Sequence, residues 1–241
     1  MNRVAVITGA SRGIGAGLAE AFAREGIHLG LCARSECPMP AEGSAETVYR
    51  EAVDVTDADA VEHFGRRVAE KFGAIDLWIN NAGVLEPIRP VRGVSADELR
   101  HHLDVNVVGV LNGTRAFVDH LRGREGGGVL VNISSGAARN AYEGWGAYCA
   151  GKAAVDRLTE VVALEEAESG LKAYALAPGV VDTDMQELIR QQEAEDFPTV
   201  EIFRQMKEDD SFSSMDDVAK GMLDLVFGND ARDEVLIDLR R

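Results

Sequence analysis

Thr8-Gly9-Ala10-Ser11-Arg12-Gly13-Ile14-Gly15 stands between the apolar run Arg3–Thr8 and a segment, Gly13–Gly26, that carries Leu18, Ala19, Phe22 and Ala23 at helical spacing. The first segment reads as a buried strand and the second as a helix. Glycines between them let the chain turn sharply and bring backbone N–H groups and the helix N-terminus against a pyrophosphate. An ordinary glycine-rich turn has the same composition, so the pattern of the remaining chain decides between the two.

Outward from this loop, strand and helix patterns alternate to the end of the chain. Strands are expected at His28–Ala33, Thr47–Val53, Ile75–Asn80, Gly128–Ser134, Leu171–Ala177 and Glu234–Leu239. Helices are expected at Ala58–Phe72, across Ser95–Arg122, at Gly146–Ala167 and at Met215–Phe227. Such alternation implies an α/β fold: a single-domain Rossmann-type doubly wound parallel sheet with helices on both faces. One interval departs from the pattern. Between His28–Ala33 and Thr47–Val53 lie Cys37-Pro38-Met39-Pro40 and Gly43, leaving room for a loop or one turn instead of a crossover helix. The charged stretch Asp182–Asp210, interrupted by Pro198, suggests a substrate lid spanning about 182–214.

The 241 residues are 46% hydrophobic and 27% charged, the profile of a soluble globular chain. Acidic residues number 41 against 25 basic, a net charge of −16 that repels nucleic acid and anionic membrane, and both are discounted as partners. Apolar runs such as Val129–Ile133 are strand-sized. MNRVAVITGA enters a strand pattern without a charged-then-apolar leader, so a cytoplasmic location is expected. Cys32, Cys37 and Cys149 form no disulfide framework or metal spacing, so reduced thiols and no metal are expected. An anionic cofactor would need a locally built site.

The strand His28–Ala33 bears on that site. A carboxylate near its end would bond a ribose 2′-hydroxyl, whereas arginine favours a 2′-phosphate. Here Ala33 is followed by Arg34, with no acid before Glu36. Arg34 and Arg12 can clamp a 2′-phosphate, although either alone could be a solvated surface charge. Asp54 and Val55, just past the next strand, are placed to meet an adenine. NADP(H) is the expected cofactor.

Tyr148 and Lys152 stand four apart at the start of a helix, which puts both on one face. A tyrosine with its pKa near ~10 is a slow acid–base group at neutral pH, and an adjacent ammonium brings it toward the working range. Tyr-x-x-x-Lys is common by chance. Its company is not: Ser135, Asn80-Asn81-Ala82-Gly83 and Pro178-Gly179 each end a strand, and parallel strands open their carboxyl ends onto one ligand crevice.

The set T-G-x-x-x-G-x-G, N-N-A-G, N, S-S, Y-x-x-x-K and P-G-x-x-x-T, from Val4 to Thr183, resembles the short-chain dehydrogenase/reductase family. Within it, Gly144 to Ala154, Ala163 to Glu166 and Ala177 to Gln186 are similar to sepiapterin reductase and to benzil reductase-like members. That resemblance implies roles. Tyr148 would protonate the substrate carbonyl and Ser135 would hold its oxygen. Lys152 would tune the tyrosine and hold a ribose, and Asn106 would hold a water in a proton relay behind the lysine. Gly9, Ser11, Arg12, Gly13, Ile14 and Gly15 would cradle the pyrophosphate. Asn81, Ala82 and Gly83 would line the adenosine ribose, while Pro178, Gly179, Val181, Thr183, Asp184 and Met185 would line the carboxamide and pyrophosphate side. Ser134 is expected to pack beneath the site.

Other residues keep two readings. Asp238 either anchors the guanidine-like edge of a pterin-type substrate or is an exposed acid. Tyr142 and Trp145 either stack on a flat substrate or pack their loop. His101-His102 are read as surface, Trp78 as strand core and Cys149 as having no redox role. The implied activity is NADPH-dependent reduction of a small-molecule dicarbonyl or α-hydroxyketone. The alternatives are a general ketone/alcohol oxidoreductase or a non-catalytic NADP(H)-binding regulator. A homodimer or homotetramer is expected through the helices near Asp97–Leu121 and Gly146–Ala167, with Ala154, Leu158, Val161, Val162 and Leu164 as an apolar stripe.

Overall fold

Val4–Thr8 (β1) is buried at every residue, as a central strand covered on both faces requires. The computed structural model describes residues 3–228 and 232–240. β1 pairs in parallel with His28–Ala33 (β2) on one side and Leu77–Asn80 (β4) on the other. Val48–Ala52 (β3) extends the first edge, and Gly128–Ile133 (β5), Leu171–Ala177 (β6) and Leu236–Asp238 (β7) extend the second. The strand order is β3-β2-β1-β4-β5-β6-β7, all parallel, so the order in which the chain fills the sheet reverses between β1 and β4. Ligand crevices in open α/β sheets form at that switch, beyond the strand ends.

The helices are Gly13–Arg24 (α1), Ala58–Phe72 (α2), Ala96–Leu103 (α3), Gly109–Arg122 (α4), Gly146–Glu165 (α5), Asp184–Arg190 (α6), Val200–Glu208 (α7) and Met215–Phe227 (α8). Local chemistry fixes several starts. Asp57 accepts from Ala60 N–H at the head of α2, and Ser95 with Glu98 forms a reciprocal capping box on α3. Phe22, Leu29, Leu31 and Met222 fill one apolar layer; Phe64, Val68, Trp78 and Phe117 fill another. Trp78 is fully buried, as its strand position implied, and its indole N–H donates to Asn80 Oδ1 at 2.9 Å.

The β2–β3 interval holds no helix: Gly43 N–H closes a turn onto Pro40 C=O at 2.8 Å. Elsewhere element ends move inward from the expected bounds. The strand expected from Ile75 begins at Leu77, the last strand shortens to Leu236–Asp238, and the long helix stops at Glu165 before a 3-10 turn at Ala167–Ser169. Around the expected lid, α6 and α7 flank Pro198. Ile189 of α6, Val200 and Phe203 of α7, and Phe197 between them are buried in one apolar cluster with Trp145 and Tyr148. Asp182 ties the two helices, accepting from Arg190 at 3.0 Å and Lys207 at 2.6 Å.

Beneath the strand ends a buried polar chain fixes β4, β5 and α5 in register. Asn80 donates to Asn132 Oδ1 and Asn132 to Thr159 Oγ1, each at 2.9 Å.

Candidate active site

The glycine turn is held from behind. Gly9 has φ +66, and a Cβ there would lie 2.6 Å from Ala82 Cα, so glycine is required by both conformation and space. Asn81 donates its amide to the carbonyls of Thr8 and Gly9 at 2.9 and 3.1 Å, and Thr8 Oγ1 accepts from the N–H groups of Asn81 and Ala82. Asn81 and Ala82 therefore brace the loop opening α1. Thr8 joins the site through these bonds, a role that only its place at a strand end beside the glycines hints at in the sequence. Arg12, the N-cap residue of α1, makes no side-chain cap hydrogen bond. Thr183 methyl lies 3.5 Å from where a Gly13 Cβ would sit, which brings the Val181–Met185 segment over the loop.

Arg12 is 76% exposed and pairs with Asp184 at 3.3 Å. Arg34 is exposed just past β2. Asp54 accepts from Thr56 N–H and O–H at 3.0 and 2.9 Å, which hold its carboxyl below the ordinary range with help from the charge of Arg34.

Tyr148 and Lys152 are both buried in the first turns of α5. Lys152 donates to Ile133 C=O at 2.7 Å, and its nitrogen stands 5.7 Å from the centre of the Tyr148 ring. Burial lowers the Lys152 pKa to about 8, opposed by the carboxylate of Asp156. Burial also raises the Tyr148 phenol above its usual 10, and a hydrogen bond with Ser135 pulls it back. Desolvation, and not the neighbouring ammonium, is thus the leading influence on the phenol. Ser134 is buried and donates to Asp156, which also pairs with Arg139 at 3.4 Å.

Between α3 and α4 the helix widens into a π turn, Asp104–Val108, carrying the buried Asn106. Its amide donates to Val84 C=O at 2.8 Å and accepts from Val84 N–H at 2.9 Å. A third contact corrects the reading of His101-His102 as surface. His101 is exposed, but His102 is 0% exposed, 2.7 Å from Asn106 Nδ2 through Nε2 and 2.7 Å from Glu86 C=O through Nδ1. The sequence carries a signal for this pairing: His102 and Asn106 are four apart and share a helix face.

Two further expectations change. Trp145 is buried, stacked on Phe197 at 4.7 Å and set edge-on to Tyr148 at 5.5 Å, so Phe197 occupies a face of the indole proposed for a substrate. Tyr142 is half-buried and leans on Trp145 at 5.3 Å. Asp238 is a buried carboxylate, not an exposed acid. It accepts the Arg240 guanidinium at 3.0 and 2.7 Å, and a substrate edge would compete with that group. Gly179, after β6, lies against the Arg240 stem. Among the described residues, no cluster of three or more His, Cys, Asp or Glu side chains is arranged to hold a metal.

The fold and this group of strand-end residues define a nucleotide-cofactor oxidoreductase architecture. The short chain dehydrogenase family model matches residues 3–194, and the chain belongs to that family. It is 31% identical over 228 residues to a benzil reductase ((S)-benzoin forming) from Bacillus subtilis, covering 92% of each chain. It is 35% identical to a galactitol 2-dehydrogenase from Agrobacterium fabrum over 78% of this chain and 74% of the other. Its structure is similar to a short chain dehydrogenase/reductase from Saccharomyces cerevisiae, with a TM-score of 0.86, 26% identity, and coverage of 100% and 97%.

Proposed function

We propose that this oxidoreductase is an NADPH-dependent carbonyl reductase of a dicarbonyl or α-hydroxyketone, benzil-like or sepiapterin-like. The carrying observation is the buried Tyr148 with Lys152 one turn away on α5, beside the strand end that carries Ser135. The full-length similarity to a benzil reductase supports the dicarbonyl choice. The similarity to a galactitol dehydrogenase keeps general ketone/alcohol chemistry as the second reading.

The chain's own groups fit the cofactor. The turn through Gly9 and Gly13, with an uncapped helix behind it, suits a pyrophosphate, and Arg12 and Arg34 suit a 2′-phosphate. Gly15, Ser11 and Ile14 complete that cradle; Asp54 and Val55 face the adenine side; Pro178 to Met185 close the other. NADPH supplies the hydride when bound. Ser135 donates to the substrate carbonyl oxygen and Tyr148 delivers the proton to it as the C–H bond forms. A phenol kept protonated by burial suits a donor to a nascent alkoxide. Lys152 holds the ribose hydroxyls, and Asn106 holds the water through which Tyr148 is reprotonated. The segment at about 182–214 acts as the lid of a single domain.

The protein works as a cytoplasmic homodimer or homotetramer. Val108 in the π turn, Leu111 on α4, and Val161 and the 81%-exposed Leu164 on α5 supply exposed apolar side chains; Val162 of the expected stripe is instead core, and Leu158 packs partly buried against it. A panel of benzil, sepiapterin and simple ketones, read by loss of NADPH fluorescence, tests the activity. Turnover of none of them, by folded protein that binds NADPH, would favour a regulator.

A further inference from the structure

We infer that His102 is a positioning residue for the proton relay, acting as a neutral imidazole that locks the Asn106 amide in one orientation. The kinetic consequence rests on the reductase function proposed for this site; the geometry does not.

His102 Nδ1 faces the carbonyl oxygen of Glu86 at 2.7 Å, a contact only an N–H can make favourably. The proton therefore resides on Nδ1, and Nε2 carries a lone pair. That lone pair faces Asn106 Nδ2 at 2.7 Å, an amide hydrogen donor. The second Nδ2 hydrogen goes to Val84 C=O and Oδ1 accepts from Val84 N–H. Both Nδ2 hydrogens and one Oδ1 lone pair are committed, which leaves the second Oδ1 lone pair for the relay water, and a flipped amide would lose all three partners. Protonating the imidazole would set a donor against a donor, and burial together with the Lys152 charge opposes it.

The lock is set against the catalytic helix. A Cβ on Gly151, the residue before Lys152, would lie 3.2 Å from His102 Nε2 and 3.6 Å from Asn106 Cβ. The missing side chain lets the clamp approach α5 where Lys152 departs. A π turn frees the helical hydrogen-bond ladder locally, and such turns recur at functional sites. Here the imidazole fixes from outside what that ladder no longer fixes. Without it, Asn106 would sample other rotamers and the water it holds behind Lys152 would lose its place.

Two substitutions separate the two halves of the clamp. His102→Gln places an acceptor near the Nε2 position and keeps the Asn106 contact. His102→Asn places a donor near Nδ1 and keeps only the Glu86 contact. With benzil and NADPH, His102→Asn should lower kcat at least tenfold, with KM and NADPH affinity within about threefold. His102→Gln should keep kcat within about threefold of the parent. Equal losses in both variants, tracking their melting temperatures, would reduce His102 to a structural role and overturn the inference; so would a His102→Asn protein at parental kcat. The ring 15N shifts of His102 in protein without cofactor provide a readout that needs no activity. A protonated Nδ1 beside a bare Nε2 supports the clamp, and a protonated Nε2 refutes it. A protein that shows the clamp tautomer but turns over no carbonyl would count against the reductase reading alone.

Discussion

The ammonium of Lys152 stands 5.7 Å from the centre of the Tyr148 ring, one helical turn away, and both groups are buried. Tyr148→Phe keeps the ring's packing against Trp145 and removes the proton donor. General acid catalysis contributes roughly 10²–10⁴ in rate, so kcat should fall by that much while NADPH affinity stays within a few-fold. Lys152→Ala should damage both, since it removes the proposed ribose contact and opens a cavity beneath Ile133. Steady-state rates and cofactor titrations read the asymmetry. Near-parental turnover by folded, NADPH-saturated Tyr148→Phe would refute the mechanism.

NADPH should bind at least tenfold more tightly than NADH, since each charge-assisted bond to a 2′-phosphate contributes about 1.5–3 kcal/mol. Arg34→Ala should narrow that gap. Asp184→Asn should widen it, because Asp184 holds Arg12 at 3.3 Å and would no longer compete with phosphate. Equal affinities for the two cofactors in the parent protein would sink the clamp.

Stability should decline as pH drops below neutral. Burial lowers the pKa of His102 and His120 from 6.5, with Lys152 and His101 facing the first, and Arg124 and Asp76 facing the second. Between each depressed folded value and 6.5 the unfolded chain binds more protons, so the folded state loses stability as pH falls through that window. His120 Nε2 also accepts from Ile75 N–H at 3.0 Å, a bond protonation destroys. Melting temperatures between pH 7.5 and 5.5 should fall, and less steeply in His102→Gln. A flat profile would contradict this.

Leu164→Glu combined with Leu111→Glu should yield a monomer by sedimentation at micromolar concentration, with little change in melting of the subunit fold. Both side chains are exposed, one on α4 and one on α5, and leave no hole when replaced. A parent protein that already sediments as a monomer would remove the proposed interface.

Local physics accounts for the elements that are legible in the chain alone. β2, α2, β6 and α8 fall at the expected residues because each is bounded by its own caps or glycines and carries an unbroken period. The Gly9–Gly15 turn, Ser135, Tyr148 and Lys152 are legible for the same reason: chemistry-bearing residues at strand ends and at one-turn spacing. Contacts between residues far apart in the chain decide the rest. Whether His102 faces water or Asn106 depends on Gly151, on another helix, being small enough to admit the imidazole. Trp145 is covered because Phe197, between α6 and α7, stacks over it. Asp238 is buried because its strand joins the sheet beside β6, and Arg240 then covers its carboxylate. Periodicity records which face of an element turns inward; only the assembled sheet and helices set which group meets that face.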